Sequence, residues 1–359
     1  MMTCTIRFLA LWAIMVLIQP CMVRALPSKT PITIVTGSKA GTYQHIGRDI
    51  AGLLKATRPV QVLPSLGSID NIRQMVERKN DVALGIVQSD ILGLMRRSTK
   101  ATTQHVTERL FLIFPFFDEE VHVLATKNIK GMRDLNGKRI VIGEEGSGNM
   151  LTAMNILGLS EVKAGELLHM NPAEGILAVM QGDADAMFFV GGKPVPFFSN
   201  LANLKDSGKT AQAELLEQVH LIPIDDPRVY EEYSPTRITN ADYAFIKNPI
   251  VTAKVTAVLV AYHQNPQKVQ TGSAACRALY DVGTMVYEQL AHLRVSGHPK
   301  WKEVNLFQDV QHWSKTPCIW EKGQFLPALH KQQGAGKKEY QEELTKDLLD
   351  VLNHNDKQR

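Results

Sequence analysis

The spacing of hydrophobic and polar residues changes several times along the chain, and each change marks the border of a predicted element. Residues 32–35 favour β structure and predict a buried strand. A Gly/Ser/Thr loop follows at 37–42, and from Tyr43 onward apolar residues recur at helical spacing. Such a corner presents backbone N–H groups and a helix dipole that favour an anion. An ordinary βα turn has the same pattern, so this segment alone does not distinguish an anion-binding site from a turn.

The same order of elements returns later in the chain. Residues 139–142 predict a strand, 143–148 a glycine- and serine-rich loop, and 149–159 a helix. Each half also contains a strand preceded by an aspartate, at 81–87 and at 185–190, that ends in a polar or glycine-rich corner. The repetition predicts an α/β protein with two lobes of similar design that face each other.

Polar corners follow several of the predicted strands. In open α/β sheets, ligands bind beyond the carboxyl ends of the strands, so these corners form the candidate site. They lie at residues 37–43, 67–71, 88–90, 146–149 and 191–193. Two glycine–serine corners on opposite lobes would offer N–H groups and hydroxyls to one small anion from both sides, without a metal or other cofactor. This geometry predicts a binder that closes about a hinge.

Composition narrows the class of protein. The 359 residues suit two or three compact units, and fractions of 44% hydrophobic and 21% charged residues are ordinary for a soluble globular protein. The formal charge of +4 comes without a Lys/Arg block, so nothing indicates nucleic-acid binding. The 11 histidines are scattered without metal-ligand spacing, so no metal site is expected.

The first 25 residues predict export. Arg7 precedes a short apolar run at 8–18, and the small residue Ala25 suits cleavage of a secretory signal peptide. Cys21 raises a lipoprotein alternative, which the Gln-Pro pair before it disfavours. We therefore expect a periplasmic mature protein.

Export makes a disulfide possible. Only Cys276 and Cys318 remain once the predicted signal peptide is removed. The sequence leaves two alternatives open, one disulfide or two separately buried thiols.

The sequence offers little support for an enzymatic function, and no catalytic residue is expected. Ser147 lies between glycines, but no Gly-x-Ser-x-Gly elbow surrounds it. His122 lies in an apolar strand and is interpreted as a core or hinge histidine rather than a general base. An exported enzyme with Ser147 as nucleophile remains the alternative from another functional class.

An ordered set of motifs resembles the TAXI family of solute-binding proteins, the extracytoplasmic receptors of TRAP transporters. The matching segments are 36–43, 67–71, 87–90, 146–148, 185–194, 238–243, 258–260 and 298–299. The resemblance implies a type II periplasmic-binding-protein fold, with two α/β lobes joined by hinge strands and a ligand cleft between them. It further implies a monomer without cofactor that binds a small organic acid, a glutamate-like amino acid or a dicarboxylate such as 2-oxoglutarate. The implied partners are the membrane permease subunits, which run on an ion gradient.

The resemblance also implies a set of ligand contacts. Carried over to this sequence, they are Gly41, Thr42, Tyr43, Ser68, Asn71, Gln88, Ser147, Gly148 and Gly192. Ser68, Asn71 and Gln88 have an equally good structural interpretation as helix caps. Lys39 and Lys193 depart from the family pattern, and they either favour an acid with extra negative charge or lie on the rim.

The resemblance suggests how the chain divides. The expected segments are a signal peptide at 1–25, lobe 1 at 27–124 and 226–330, lobe 2 at 125–225, and a C-terminal extension at 331–359. A rival with the same fold is a receptor for another transporter class or a sensor system.

Overall fold

The computed structural model describes residues 30–39, 41–78, 81–199, 218–266, 272–321 and 324–328. The predicted signal peptide and C-terminal extension lie outside these ranges. None of the helices in the described ranges is long and apolar enough to cross a membrane.

The elements alternate between strand and helix in each half of the chain. The strands are β1 (Ile32–Val35), β2 (Val60–Leu63), β3 (Val82–Gln88), β4 (Leu110–Thr126), β5 (Arg139–Val141), β6 (Glu166–Leu168), β7 (Ala186–Gly191), β8 (Val219–Leu221), β9 (Ser234–Ile238), β10 (Ile250–Tyr262), β11 (Trp320–Glu321) and β12 (Gln324–Phe325). The helices are α1 (Thr42–Leu54), α2 (Ser68–Glu77), α3 (Asp90–Arg96), α4 (Ala101–Thr107), α5 (Gly148–Leu159), α6 (Pro172–Gln181), α7 (Ala274–Glu288) and α8 (Leu290–Ser296). Short 3-10 turns lie at Met132–Leu135, Pro227–Glu231 and Pro299–Glu303.

One mixed sheet connects both halves of the molecule. Its strand order is β2-β1-β3-β10-β4-β7-β5-β6, with β8 beside β4 and β9 beside β10. β1 is parallel to β2 and β3, and β5 is parallel to β6 and β7. The long strands β4 and β10 run antiparallel to each other between these two parallel sets.

Each half of the sheet has its own hydrophobic core, and the two long strands contribute to both. On β4, Phe116 packs in the first core and Val121 in the second. On β10, Ala257 belongs to the first core and Val255 to the second. The strands therefore pass from one lobe to the other near residues 118–120 and 256, which confirms the predicted fold class of two α/β lobes joined by hinge strands.

The hydrophobic packing places the borders between the lobes at other residues than predicted. The predicted borders lie after residues 124 and 225. Val229 and Tyr233 pack in the second core, together with Val121. The reason is β9, which adds to the second-lobe half of β10 by antiparallel pairing. Residues 227–255 thus lie with lobe 2, although the sequence had placed them in the second part of lobe 1.

Some predicted elements differ from the observed ones. The apolar pattern predicts separate segments at 111–117 and 121–125, but the chain from Leu110 to Thr126 is one continuous strand that includes Pro115 and the acidic residues 118–120. These residues are accommodated because β10 pairs with residues 110–120, with register shifts in the ladder, and β7 pairs with residues 120–125. The helix predicted over residues 274–293 is two helices that meet at Gln289.

A disulfide links Cys276 on α7 to Cys318, with a Cα–Cα distance of 4.9 Å. Both residues are buried in the core of the first lobe. Of the two alternatives left by the sequence, the structure has the disulfide.

Candidate functional site

The corner before α2 and the corner before α5 come from opposite lobes and touch. The backbone N–H of Asp70 donates to the carbonyl of Gly146 over 3.1 Å. Gly67 has φ +122°, a conformation that favours glycine, and a Cβ there would lie 3.4 Å from the amide nitrogen of Gly148. Two of the polar corners singled out in the sequence thus converge across the cleft.

Gly148, the first residue of α5, faces two predicted contacts on the other lobe. A Cβ at position 148 would lie 1.9 Å from Oε1 of Gln88 and 2.5 Å from Oγ of Ser68. Ser68 does not cap α2, because it is already helical and its hydroxyl accepts the N–H of Gln88 over 3.0 Å. Oε1 of Gln88 is buried and has no hydrogen-bond donor among the described residues. Three predicted site residues therefore meet at one point.

Ser147 is the N-cap of α5. Its hydroxyl accepts the N–H of Met150 over 3.1 Å and donates to the carbonyl of Glu144 over 2.7 Å. Both bonds are to the backbone of its own loop and helix. This arrangement fixes the start of the helix and gives the hydroxyl no general base.

Asn71 connects the strand ends of the first lobe. Its side-chain NH₂ donates to the carbonyls of Thr36 and Ile86, and its oxygen accepts from the hydroxyl of Ser65. Both N–H donors are therefore used within the lobe. The contacts favour the structural interpretation of this residue, which shapes the corners rather than reaching into the cleft.

The corner before α1 reaches the hinge strand through Tyr43. The phenol of Tyr43 donates to the carboxyl of Glu119 on β4, and its ring meets Phe117 edge-on. Gly41 is the N-cap of α1, and Thr42 is the first helical residue. The amide of Gly41 bonds to Ser38 within the same loop, so this corner meets the cleft mainly through Tyr43.

Buried carboxyl groups surround the point where the lobes meet, and the sequence interpretation missed two of them, Glu119 and Glu120. Burial raises the pKa of Glu119 to about 8, and the charge of the neighbouring Glu120 acts in the same direction. Burial also raises the pKa of Asp90, to about 6, and that of Glu120. The sequence did carry a signal for Glu119 and Glu120, because they stand inside a strongly apolar segment. Burying a carboxylate there costs free energy unless the group is paired or protonated.

Gly192 faces a buried lysine from the other lobe. A Cβ at Gly192 would lie 2.5 Å from Cε and 3.0 Å from Nζ of Lys300. Lys300 is 6% exposed, and its ammonium bonds to Glu303 over 2.7 Å. The sequence interpretation did not include Lys300, since only the His-Pro pair before it carried a resemblance.

The two lysines that the sequence did single out lie elsewhere. Lys39 is exposed on its loop. The ammonium of Lys193 bonds to Asp242 over 3.2 Å within the second lobe, while its backbone N–H donates to Glu120 over 2.9 Å. The rim alternative for both residues agrees with this placement.

Side-chain contacts also join the lobes beside the cleft. Oδ2 of Asp90 on α3 accepts hydrogen bonds from Thr152 over 2.7 Å and from Tyr233 over 3.0 Å. Arg97 pairs with Glu232 over 2.9 Å. These contacts, together with the touching corners, hold the two lobes in a closed arrangement.

His122 lies in the core at the hinge. Its Nδ1 is 2.9 Å from the carbonyl of Glu120, and its Nε2 is 2.8 Å from the phenol of Tyr243. Burial lowers its pKa to about 4, so the ring is neutral at pH 7. The structure agrees with the predicted core or hinge role.

No cluster of three or more His, Cys, Asp or Glu residues in the described ranges has the geometry to hold a metal ion. The polar groups at the cleft are instead backbone amides, carboxyls, hydroxyls and one ammonium. They suit recognition of a small polar molecule through hydrogen bonds and charge.

Comparison with solved structures finds similar molecules at low identity. The chain is similar to MatC from Rhodopseudomonas palustris with bound malate, at 15% identity and a TM-score of 0.44, covering 80% of this chain and 92% of that chain. It is also similar to the alkanesulfonate-binding protein SsuA from Xanthomonas axonopodis pv. citri bound to MOPS, at 13% identity and a TM-score of 0.41, covering 77% and 79%. We draw no conclusion about the ligand from likenesses of this size.

Comparison with protein families gives a match over most of the chain. The model described as the NMT1-like family matches residues 34–312. That range begins in β1, includes every corner that meets at the cleft, and ends beyond Lys300. The chain therefore belongs to the NMT1-like family.

Proposed function

We propose that this protein is an extracytoplasmic solute-binding protein that captures a small carboxylate and delivers it to a membrane transporter. The observation that carries the proposal is the convergence of two glycine–serine corners from opposite lobes, where Gly148 meets Ser68 and Gln88. Within the part of the chain that the structure describes, the strands that run through both lobes are the long pair β4 and β10. This architecture supports binding by hinge closure.

The positions of the polar groups explain why a bound ligand would close the two lobes. In the open state the corners before α2 and α5 separate, and their backbone N–H groups and hydroxyls are solvated. A ligand that contacts both lobes has higher affinity for the closed state and shifts the population toward it. The N-termini of α2 and α5 favour an anionic group at the junction.

The ordered motifs shared with TAXI receptors suggest the finer assignment. On that basis the ligand is a glutamate-like amino acid or a dicarboxylate or 2-oxo acid, and the partners are the permease subunits of a TRAP-type transporter. The protein would act as a periplasmic monomer after loss of its signal peptide. Uptake by reconstituted permease that needs an ion gradient and no ATP would support the TRAP type, whereas ATP-dependent uptake would favour another transporter class.

The enzyme alternative is weakened by Ser147. Its hydroxyl is bonded to the backbone atoms of Glu144 and Met150, as expected for a helix cap. If an exported hydrolase activity exists and depends on this serine, Ser147→Ala must abolish it. Activity that survives the substitution, or none in the wild type, removes this alternative.

A thermal-shift screen against amino acids, keto acids and dicarboxylates tests the proposed function. A ligand that binds only the folded protein must raise the melting temperature. Calorimetry on Tyr43→Ala and Ser147→Ala should then show weaker binding of the same acid by proteins that still unfold cooperatively. Wild-type affinity in both variants would contradict the assignment of this cleft.

A further inference from the structure

Lys300 is a buried cation at the face where the lobes meet. Its ammonium lies 5.9 Å from the ring centroid of Phe117 and against the Cα of Gly192 on the second lobe. Burial raises the pKa of Glu119 and of Glu120, and the charge of Lys300 opposes this rise, so the lysine belongs to the same electrostatic cluster as the hinge carboxyls. A buried ammonium needs an anionic or hydrogen-bonding partner.

The turn that carries Lys300 is firmly anchored. The N–H of His298 and the indole N–H of Trp301 both donate to Oδ2 of Asp49, over 2.9 and 2.8 Å. Trp301 is buried in the core of the first lobe, where it meets Phe116 edge-on. The backbone of Lys300 is thereby fixed, and its side chain extends from a rigid base toward the second lobe.

The present partner of Lys300 is replaceable. Glu303 contacts the ammonium with both carboxyl oxygens, over 2.7 and 2.8 Å, but its side chain is 46% exposed. A half-exposed carboxylate loses little by returning to water, because it has given up only part of its hydration in the pair. The buried lysine has no such freedom, so another carboxylate can take the place of Glu303.

We propose that Lys300 binds the carboxylate of the incoming ligand, and that the ligand displaces Glu303 from the ammonium as the lobes close on it. The inference rests on the proposed function and adds the residue that selects the acid. No covalent bond forms or breaks in this exchange of ion-pair partners.

Two variants should change affinity in opposite directions. Lys300→Met keeps the aliphatic stem and removes the charge, so titrations with L-glutamate and with 2-oxoglutarate should show binding weaker by about 10-fold or more. Glu303→Gln removes the competing carboxylate, so the same titrations should show binding tighter by about threefold, because the half-exposed Glu303 competes only modestly for the ammonium. A purely structural lysine–glutamate pair would weaken binding in both variants.

The matched control is Lys193→Met, on the second lobe, whose ammonium is held by Asp242. It should bind both acids within about twofold of the wild type. Thermal melting without ligand checks that Lys300→Met is folded, and Lys300→Arg, which keeps the charge, should retain most of the affinity. Unchanged affinity in folded Lys300→Met overturns the role of Lys300 and leaves the proposed function standing. If the wild type binds neither acid, nor any other in the screen, both proposals fail together.

Discussion

At the scale of single residues, contact across the cleft requires glycine at position 148. This residue begins α5, and its Cα faces the buried amide of Gln88 and the hydroxyl of Ser68 on the other lobe. Both of these side chains come from the polar corners that follow the strands of the first lobe. Any side chain at position 148 would occupy the space that these groups fill when the lobes meet.

Gly148→Ala should therefore impair closure and lower acid affinity by about 10-fold or more, since overpacking of a tight contact typically costs 1–3 kcal/mol. Gly158→Ala on the same helix is the matched control, because a Cβ there meets nothing within 4 Å. The control should keep its affinity and gain up to about 1 kcal/mol of stability from helix propensity. Calorimetric titration checks the affinities, and equal affinity in the two variants would argue against this contact.

The hinge carboxyl of Glu119 predicts a pH-dependent stability. Burial raises its pKa from 4.5 to about 8, so the folded state keeps a proton that the unfolded chain has lost. The free energy of unfolding should thus fall as pH rises toward 8, and level off above it. Buried His122 and His263 have pKa values of about 4, below the value of about 6.5 in unfolded chains, so they act only below about pH 6.5.

Urea unfolding at pH 6.5 and pH 8 measures this effect. The wild type should lose about 2 kcal/mol over this interval, because each pH unit corresponds to 1.36 kcal/mol when one proton differs. Glu119→Gln should show a markedly smaller change, while Glu77→Gln, at an exposed surface ion pair, should behave like the wild type. A pH dependence that is unchanged in Glu119→Gln would mean that another group is responsible.

At the scale of elements, local patterns predicted those parts of the chain that depend on local forces. The pattern at residues 60–63 predicts a short strand, and β2 has these bounds. Helix α1 begins within one residue of its predicted start, because a periodic apolar face is visible in any short window. β9 was missed because it contains Pro235, and it owes its place to β10. Lys300 and Glu119 lie far apart in sequence, so their shared cluster exists only in the folded chain.

The disulfide should stabilise the first lobe through the unfolded state. Its two cysteines are 42 residues apart, and the chain-entropy estimate for such a loop is about 4 kcal/mol. The double variant Cys276→Ala/Cys318→Ala should lose roughly this free energy of unfolding in urea. Acid affinity should be nearly unchanged, because the bond lies within one lobe. A variant as stable as the wild type would show that the cross-link contributes little.

At the scale of the whole molecule, the lobes hold each other closed by direct contacts. Thr152 and Tyr233 of the second lobe donate to the buried carboxyl of Asp90 on the first, and Arg97 reaches Glu232. Part of the closing free energy therefore comes from the protein, and the ligand supplies the rest.

Thr152→Val combined with Tyr233→Phe should favour the open state. The double variant leaves Asp90 without these two donors, at a cost of about 2–3 kcal/mol when the lobes are closed. X-ray scattering of the ligand-free protein should show a larger radius of gyration, and acid affinity should fall about 10-fold or more. The control Glu77→Gln weakens an exposed pair within α2, and it should leave both quantities unchanged. An unchanged radius of gyration in the double variant would show that these contacts do not hold the lobes closed.

The two strands of the hinge, β4 and β10, determine how closure of the lobes can be observed. Among the described residues, the strands that pass between the lobes, β4 and β10, are neighbours in one sheet, and Asp118 on β4 bonds to Lys254 and to Thr256 on β10 at the point where they leave one lobe for the other. The ladder also shifts register just beyond, between Thr256 and Val258. Two hydrogen-bonded strands bend and twist together and cannot slide apart, so the lobes are expected to move relative to each other by deformation of this one strand pair. A pair of dyes, one on each lobe, should therefore report opening and closing of the molecule in real time.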